Sequence, residues 1–146
     1  MTEVHIDIEE LVPHRPPMRL VDELCEVKGD TAVTRSVVTE NWPMCENGRV
    51  DVILMIEIIA QSVSAMTGWQ QLDEDEHGGR GLLVGIKKAE FFAEYVDVSA
   101  CLNTRVELCI KTGNYRVFEG EVKEGSRVVA RATLQAYRPE GGDIFA

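Results

Sequence analysis

The C-terminal half of the chain alternates apolar and polar side chains with a period of two. Residues 102–111 and 127–137 each place apolar side chains on one face and polar ones on the other, and residues 115–123 lie between them. Residues 82–92 form an apolar run just before these segments. Glycine-containing turns separate the later segments. This pattern predicts about four antiparallel strands, with one face of the sheet covered and the other wetter.

The N-terminal half predicts a short helix and a hairpin. Residues 6–12 can form one or two helical turns. Residues 18–27 and 31–38 are two strand-like segments around a turn that contains Gly29. Residues 39–50 carry proline, asparagine and glycine, and we expect them to be irregular.

Residues 52–69 predict one long helix that is apolar nearly all round, with Asp51 as its N-cap. We expect Gly68 to end this helix or to weaken its last turn. A helix of this composition is normally buried on every side. A short helix, two strands, this long helix and about four further strands, in that order, predict an α+β fold. In that fold a strongly twisted antiparallel sheet wraps around one long buried helix.

Length and charge narrow the classes of function. The 146 residues suit a single domain, 1–146, with a core over about 10–138. The net charge of −10 argues against binding to duplex nucleic acid. No apolar stretch approaches a membrane span, and the acidic start lacks the apolar run of a signal peptide. We therefore expect a cytoplasmic protein with no membrane partner.

The cysteines and histidines show no metal-binding spacing. No cysteine pair has the C-x-x-C spacing, and the three histidines match no metal motif, so no metal or cofactor is predicted. We expect buried or half-buried free thiols. A reactive cysteine is the alternative, although the sequence identifies no base that would activate one. The four cysteines are Cys25, Cys45, Cys101 and Cys109.

Glu57 is the unusual residue of the apolar helix. An ionised carboxylate among apolar neighbours is usually paired, protonated or catalytic. Gln61 and Ser64 follow at helical spacing and extend a polar stripe from Glu57. Two interpretations stay open. The carboxylate either fastens the helix to backbone amides or an arginine, or it does chemistry.

His14 lies within the proline-rich segment 13–17. The prolines stiffen this loop, and a stiff loop can hold an imidazole in the orientation that general-base work requires. The alternative is an exposed loop histidine. Several basic residues could meet a phosphate if they converge, and otherwise they are scattered charges: Arg15, Arg19, Arg49, Arg80, Lys87 and Lys88.

Two ordered motifs resemble those of the hotdog-fold β-hydroxyacyl-acyl-carrier-protein dehydratases. Residues 11–23 are similar to the family's opening L-P-H-R-x-P-x-L-L-V-D, and residues 56–61 to its helix motif x-E-A-x-A-Q. Within the family, the P-H-x-x-P-M opening, the Asn-Gly-Arg at 47–49 and the Leu-Val-Gly at 83–85 are most similar to dehydratase-like proteins of aryl-polyene and polyketide-type pathways.

One departure from the family pattern concerns its catalytic histidine. The family carries this histidine in a G-H-F-P-G loop, fourteen residues before the helix glutamate, where this chain has Pro43. No histidine occurs between residues 15 and 76. Either His14 substitutes for it, or a partner chain supplies the base, or the chain is not a dehydratase.

The resemblance implies dehydration of a 3-hydroxyacyl thioester, carried on acyl-carrier protein or CoA, to the trans-2-enoyl thioester. It implies a hotdog dimer, either a homodimer or a heterodimer with another hotdog subunit. Glu57 would be the acid, and His14 the base or a residue that orients the substrate. Gln61 would fix the carboxylate, and backbone N–H groups at the start of the helix would stabilise the enolate. The residues expected to contact substrate are Gln61, Trp42, Met44, Arg15, Val52 and Ile53.

Two alternatives to a self-sufficient dehydratase stay open. In a hotdog thioesterase the helix carboxylate activates water instead. A non-catalytic or half-catalytic subunit would bind acyl chains or complete a heteromeric dehydratase.

Overall fold

The computed structural model describes residues 2–72 and 82–137. These residues form two helices and ten strands, joined by loops and turns. In chain order they are β1 (Thr2–Glu3), α1 (Ile8–Leu11), β2 (Glu23–Lys28), β3 (Thr31–Val37), β4 (Cys45–Glu46), β5 (Arg49–Asp51), α2 (Leu54–Gln71), β6 (Leu82–Phe91), β7 (Tyr95–Asp97), β8 (Cys101–Thr112), β9 (Tyr115–Glu124) and β10 (Arg127–Tyr137).

The strands form one large and one small antiparallel sheet. The large sheet has the order β1-β2-β3-β8-β9-β10-β6, and the small sheet has the order β4-β5-β7. Helix α2 packs against β2, β3, β8, β9 and β10, so the large sheet wraps around it. The predicted α+β architecture is confirmed. Among the described helices, none is long and apolar enough to cross a membrane.

Alternation along the strands separates the core from the surface. In β8, Leu102, Thr104 and Val106 are fully buried beneath α2, while the residues between them are exposed. In β10 the inward residues Ala132 and Leu134 continue this layer. A period of two is what a sheet with one covered face requires, and the sequence predicted both strands nearly to their ends.

The strand predicted over residues 18–27 begins later, at Glu23. The amides of Leu20 and Val21 donate to the side chain of Gln61 instead of to a neighbouring strand. Because those amides are already used, pairing with β3 starts only at Asp22, whose N–H donates to the carbonyl of Arg35.

The segment expected to be irregular contains a hairpin. Strands β4 and β5 pair around Asn47 and Gly48, which both have positive φ values, 56° and 75°. Asparagine followed by glycine suits the two-residue turn that joins such strands. Strand β7, also not predicted, completes the small sheet by pairing with β5.

The long helix begins at Leu54 and ends at Gln71, two residues later at each end than predicted. Asp51 is not its N-cap. The Asp51 carboxylate accepts the N–H of Ile53 at 2.8 Å and so caps the turn that precedes the helix. Gly68 does not end the helix, which continues for three more residues.

Helix α2 is buried on one face only, so the prediction of burial on every side is wrong for the single chain. The face that includes Met55, Ile58 and Ile59 lies against the sheet. The other face is half-buried, and the side chain of Glu57 on it is 41% exposed. The apolar residues on this second face explain why the sequence suggested complete burial.

Two glycines allow close approaches to α2. A Cβ atom on Gly120 of β9 would overlap the side chain of Ile59, so the helix lies directly on the sheet at this point. A Cβ atom on Gly68 would come within 2.5 Å of the backbone oxygen of Leu11. Gly68 therefore provides the space in which α1 docks on α2.

We expect Gly68→Ala to destabilise the protein by about 1–3 kcal/mol, although alanine is the better helix former. The added methyl group meets a backbone atom of α1, which cannot rotate away. Chemical denaturation measures the change in the free energy of unfolding. Gly85→Ala is the matched control, because open space surrounds Gly85, and we expect a change within about 0.5 kcal/mol. Equal effects of the two substitutions would contradict the packing argument.

The four cysteines are free thiols, as predicted, but two are more exposed than expected. Cys25 and Cys45 are half-buried, whereas Cys101 and Cys109 are exposed on the outer face of β8. Burial, and then the charge of Glu23, raises the pKa of Cys25 to about 11. Residues 73–81, which include Arg80, and residues 138–146 lie outside the described residues.

Candidate active site

A loop between α1 and β2 carries His14, and the side chain of the next residue holds this loop. The Arg15 guanidinium donates to the carbonyl oxygens of Val12 at 3.0 Å, His14 at 2.9 Å and Glu9 at 3.1 Å. The backbone then turns, with the N–H groups of Met18 and Arg19 donating to the carbonyl of Arg15. His14 is thus held in a compact, hydrogen-bonded loop.

Gln61 fastens the second half of this loop to α2. Its carboxamide oxygen accepts the N–H groups of Leu20 at 2.8 Å and Val21 at 3.3 Å. Its amide nitrogen donates to the carbonyl of Met18 at 2.8 Å and to Glu57 Oε1 at 3.1 Å. The side chain is fully buried, and both polar ends are satisfied. Gln61 therefore orients Glu57 and joins the helix to the loop.

His14 and Glu57 meet at the surface of α2. His14 Nε2 lies 3.4 Å from Glu57 Oε1, and the two side chains are 34% and 41% exposed. His14 Nδ1 is buried and has no hydrogen-bond partner among the described residues. The partial exposure of both side chains leaves the pair open to a substrate. The 3.4 Å separation is longer than the roughly 2.6–3.2 Å of direct proton transfer, a gap that catalytic pairs commonly close when substrate binds.

The backbone amides at the start of α2 lie within five residues of Glu57 along the chain. Most of them already donate a hydrogen bond within the protein. Val52 donates to Glu94, Ile53 to the Asp51 carboxylate, Met55 to Val52, and Ile56 to Ile53. Because these amides already have acceptors, fewer of them are free to stabilise an oxyanion than the sequence predicted.

The structure brings together three of the residues predicted for the site: Glu57, His14 and Gln61. The other predicted substrate contacts differ in their surroundings. Trp42 and Val52 are buried in the core, whereas Met44 and Ile53 are 55% and 46% exposed. The guanidinium of Arg15 bonds to the loop. Contact of these residues with substrate stays a prediction.

Sequence reasoning missed the ionic contacts behind the loop. Arg19 Nη1 lies 2.9 Å from Glu9 Oε2, and Arg15 Nε lies 3.8 Å from Glu9 Oε1. A glutamate in a short helix followed by two arginines is too common a pattern to have indicated this arrangement. Within residues 2–72 and 82–137, no cluster of three or more His, Cys, Asp or Glu side chains could hold a metal ion.

Comparison with known families matches nearly the whole chain. The model of the ApeP-like family, described as ApeP dehydratase, matches residues 6–145. The 3-hydroxyacyl-[acyl-carrier-protein] dehydratase FabZ of Streptococcus uberis is 28% identical over 135 residues, which cover 88% of this chain and 92% of that protein. FabZ of Alkaliphilus metalliredigens is 29% identical over 136 residues, covering 89% and 90% of the two chains.

Solved structures share the fold. A chain of the dehydratase heterocomplex ApeI:P from Xenorhabdus doucetiae superposes with a TM-score of 0.83 at 20% identity, covering 94% of this chain and 93% of that one. The PaaI protein of E. coli gives a TM-score of 0.64 at 12% identity, covering 80% and 82%. These similarities confirm the predicted hotdog fold.

Proposed function

The chain belongs to the ApeP-like dehydratase family, and from this membership and the site geometry we propose that it dehydrates a 3-hydroxyacyl thioester carried on acyl-carrier protein. The observation that carries the proposal is the contact of Glu57 Oε1 with both His14 Nε2 and Gln61 Nε2. A carboxyl group on α2 and an imidazole on the loop before β2 lie side by side, both partly exposed, and we assign them the roles of acid and base. Dehydration requires both groups.

The proposed reaction moves two protons. His14 Nε2 removes the proton from C2 of the thioester, and the C2–C3 double bond forms as the C3–O bond breaks. Glu57, protonated at the start, gives its proton to the departing hydroxyl, which leaves as water. His14 then returns its new proton to Glu57 across their 3.4 Å separation. The pair is thereby restored, and the products are the trans-2-enoyl thioester and water.

Proton removal next to a thioester places negative charge on the carbonyl oxygen, and a hydrogen-bond donor is needed there. The N–H of Leu54 is the candidate donor, because the amides on both sides of it already have partners. The positive end of the α2 dipole adds to its effect.

The first test incubates the purified chain with a 3-hydroxyacyl-carrier protein and follows the carrier by intact mass. We expect the loss of one water from the acyl group. His14→Ala should abolish this loss, because His14 is the histidine that the structure places against Glu57. Release of a free acid would indicate a thioesterase and contradict the proposal. Dehydration that persists in His14→Ala would mean that another group is the base.

A second candidate function is one half of a heteromeric dehydratase. Pro43 stands where the family's usual histidine is expected, which favours a base supplied by another subunit. One solved structure with the same fold is a chain of a dehydratase heterocomplex. The half-buried apolar face of α2 is also suited to a partner subunit. Exposed apolar side chains lie at the start of α2 and near the ends of β6 and β7: Ile53, Phe91, Phe92 and Tyr95.

The same assay separates the two candidates. A chain that is inactive alone, but becomes active when a second hotdog subunit with the G-H-F-P-G histidine is added, would be one half of a shared site. Activity of the isolated chain, with the oligomeric state measured by light scattering, would support the self-sufficient enzyme.

A further inference from the structure

We propose that Glu9, Arg15 and Arg19 form a positioning clamp that sets the distance between His14 and Glu57. This inference rests on the proposed function, in which His14 Nε2 and Glu57 exchange a proton. It assigns Arg15 to the support of the catalytic loop instead of to substrate. The three residues are positioning residues, because each acts through the backbone that carries His14.

The Arg15 side chain donates three hydrogen bonds, two to the loop and one to α1. Its two terminal nitrogens donate to the carbonyls of Val12, His14 and Glu9 at 2.9–3.1 Å. Two of these carbonyls lie in the loop on the N-terminal side of Arg15, and the third belongs to α1. A guanidinium presents its donors in a fixed plane, whereas an ammonium group is a compact point charge. The three bonds together therefore fix the course of the backbone at His14.

Glu9 joins the two arginines. Its carboxylate lies 2.9 Å from Arg19 Nη1 and 3.8 Å from Arg15 Nε. Arg19 is only 19% exposed, and its Nη2 also lies 3.9 Å from the carboxylate of Asp22. Glu9 itself is fixed on α1, which docks on α2 at Gly68. Through α1, the clamp thus fixes His14 relative to α2, the helix that carries Glu57.

Two attachments hold the loop from opposite ends. The clamp holds its beginning on α1, and Gln61 holds its end on α2 through Met18, Leu20 and Val21. His14 lies between the two attachments. An error of about 1 Å in the placement of a reacting group can cost roughly 100-fold in rate. The clamp therefore controls the rate without touching substrate.

The kinetic test compares Arg15→Lys and Glu9→Gln with the unaltered chain in the dehydration assay. We expect kcat to fall roughly 10–100-fold for Arg15→Lys and less for Glu9→Gln, with KM changed less than about threefold. Arg105→Ala is the matched control, because it removes an exposed arginine paired with Glu107 on the outer face of β8. A rise in KM with kcat unchanged would make Arg15 a substrate contact and would overturn the clamp.

A spectroscopic test needs no turnover. The chain has three histidines, so His14→Ala identifies the imidazole ¹⁵N resonances of His14 in a long-range ¹H–¹⁵N spectrum. We expect Arg15→Lys and Glu9→Gln to move these resonances towards their positions in Glu57→Gln, where the carboxylate partner is lost. Arg105→Ala should leave them in place.

The two readouts separate the inference from the function on which it rests. Shifted resonances in a chain that has no activity of its own would support the clamp and contradict the self-sufficient dehydratase. Resonances of Arg15→Lys that coincide with those of the unaltered chain would overturn the clamp, whether or not the chain is active. Thermal melts verify that each variant is folded.

Discussion

Replacing Glu57 by Gln is expected to lower kcat roughly 10²–10⁴-fold and to leave the fold intact. The carboxamide has nearly the same shape as the carboxylate, and its oxygen can still accept the Gln61 N–H that Glu57 Oε1 now accepts. It cannot give a proton to a departing hydroxyl or receive one from His14. The rate of formation of the enoyl thioester, measured at saturating substrate, reports the loss directly.

Two further variants make the Glu57 experiment specific. Glu119→Gln makes the same chemical change at an exposed position of β9 and should keep full activity. Glu57→Asp keeps the acid but withdraws it from His14 by one methylene group, so we expect an intermediate loss of rate. If Glu57→Gln retained activity within about twofold, the carboxylate would only fasten the helix, as the alternative interpretation of the sequence allowed.

Replacing Gln61 by Ala is expected to destabilise the protein by roughly 3–5 kcal/mol and to remove activity as well. The substitution leaves the amides of Leu20 and Val21 and the carbonyl of Met18 without their partner. Each unpaired buried group costs about 1–3 kcal/mol, and relaxation of the loop recovers part of that sum. Urea denaturation gives the free energy of unfolding.

Gln70→Ala is the matched control for Gln61. Gln70 also donates to a backbone carbonyl, that of Gly29 at 3.0 Å, but this bond is exposed, so we expect a loss below about 1 kcal/mol. Gln61→Glu keeps an acceptor for Leu20 and Val21 but buries a carboxyl group against the Met18 carbonyl and Glu57, both of which are acceptors. We therefore expect it to destabilise the protein and to lower kcat as well. A Gln61→Ala variant as stable as the Gln70 control would refute the proposed attachment.

The elements that the sequence predicted well are those governed by one strong physical pattern. Strands β8 and β10 bury alternate residues and were located by their period of two, whereas α2 was located as one long apolar segment. The candidate site depended on a local oddity, a carboxylate within that apolar segment, with Gln61 four residues further on the same face. Glu57 and Gln61 could therefore be predicted together.

The parts that were missed depend on partners distant in the chain. Residues 18–21 have a strand-like sequence, but three of their backbone groups bond to Gln61 across about forty residues. No local pattern contains that information. The same is true of the contact between His14 and Glu57. The exposure of Glu57 was misjudged because the sequence shows that a helix is apolar without showing how much of it one chain covers.

Because Gly120 has no side chain, the residues that positions 120 and 59 can hold depend on each other. Ile59 occupies the space that a side chain on residue 120 would need. At this point the space between helix and sheet is therefore filled by the side chain of the helix alone. A larger residue at 120 can be accommodated only together with a smaller one at 59, so any redesign of this core has to alter the two positions as a pair.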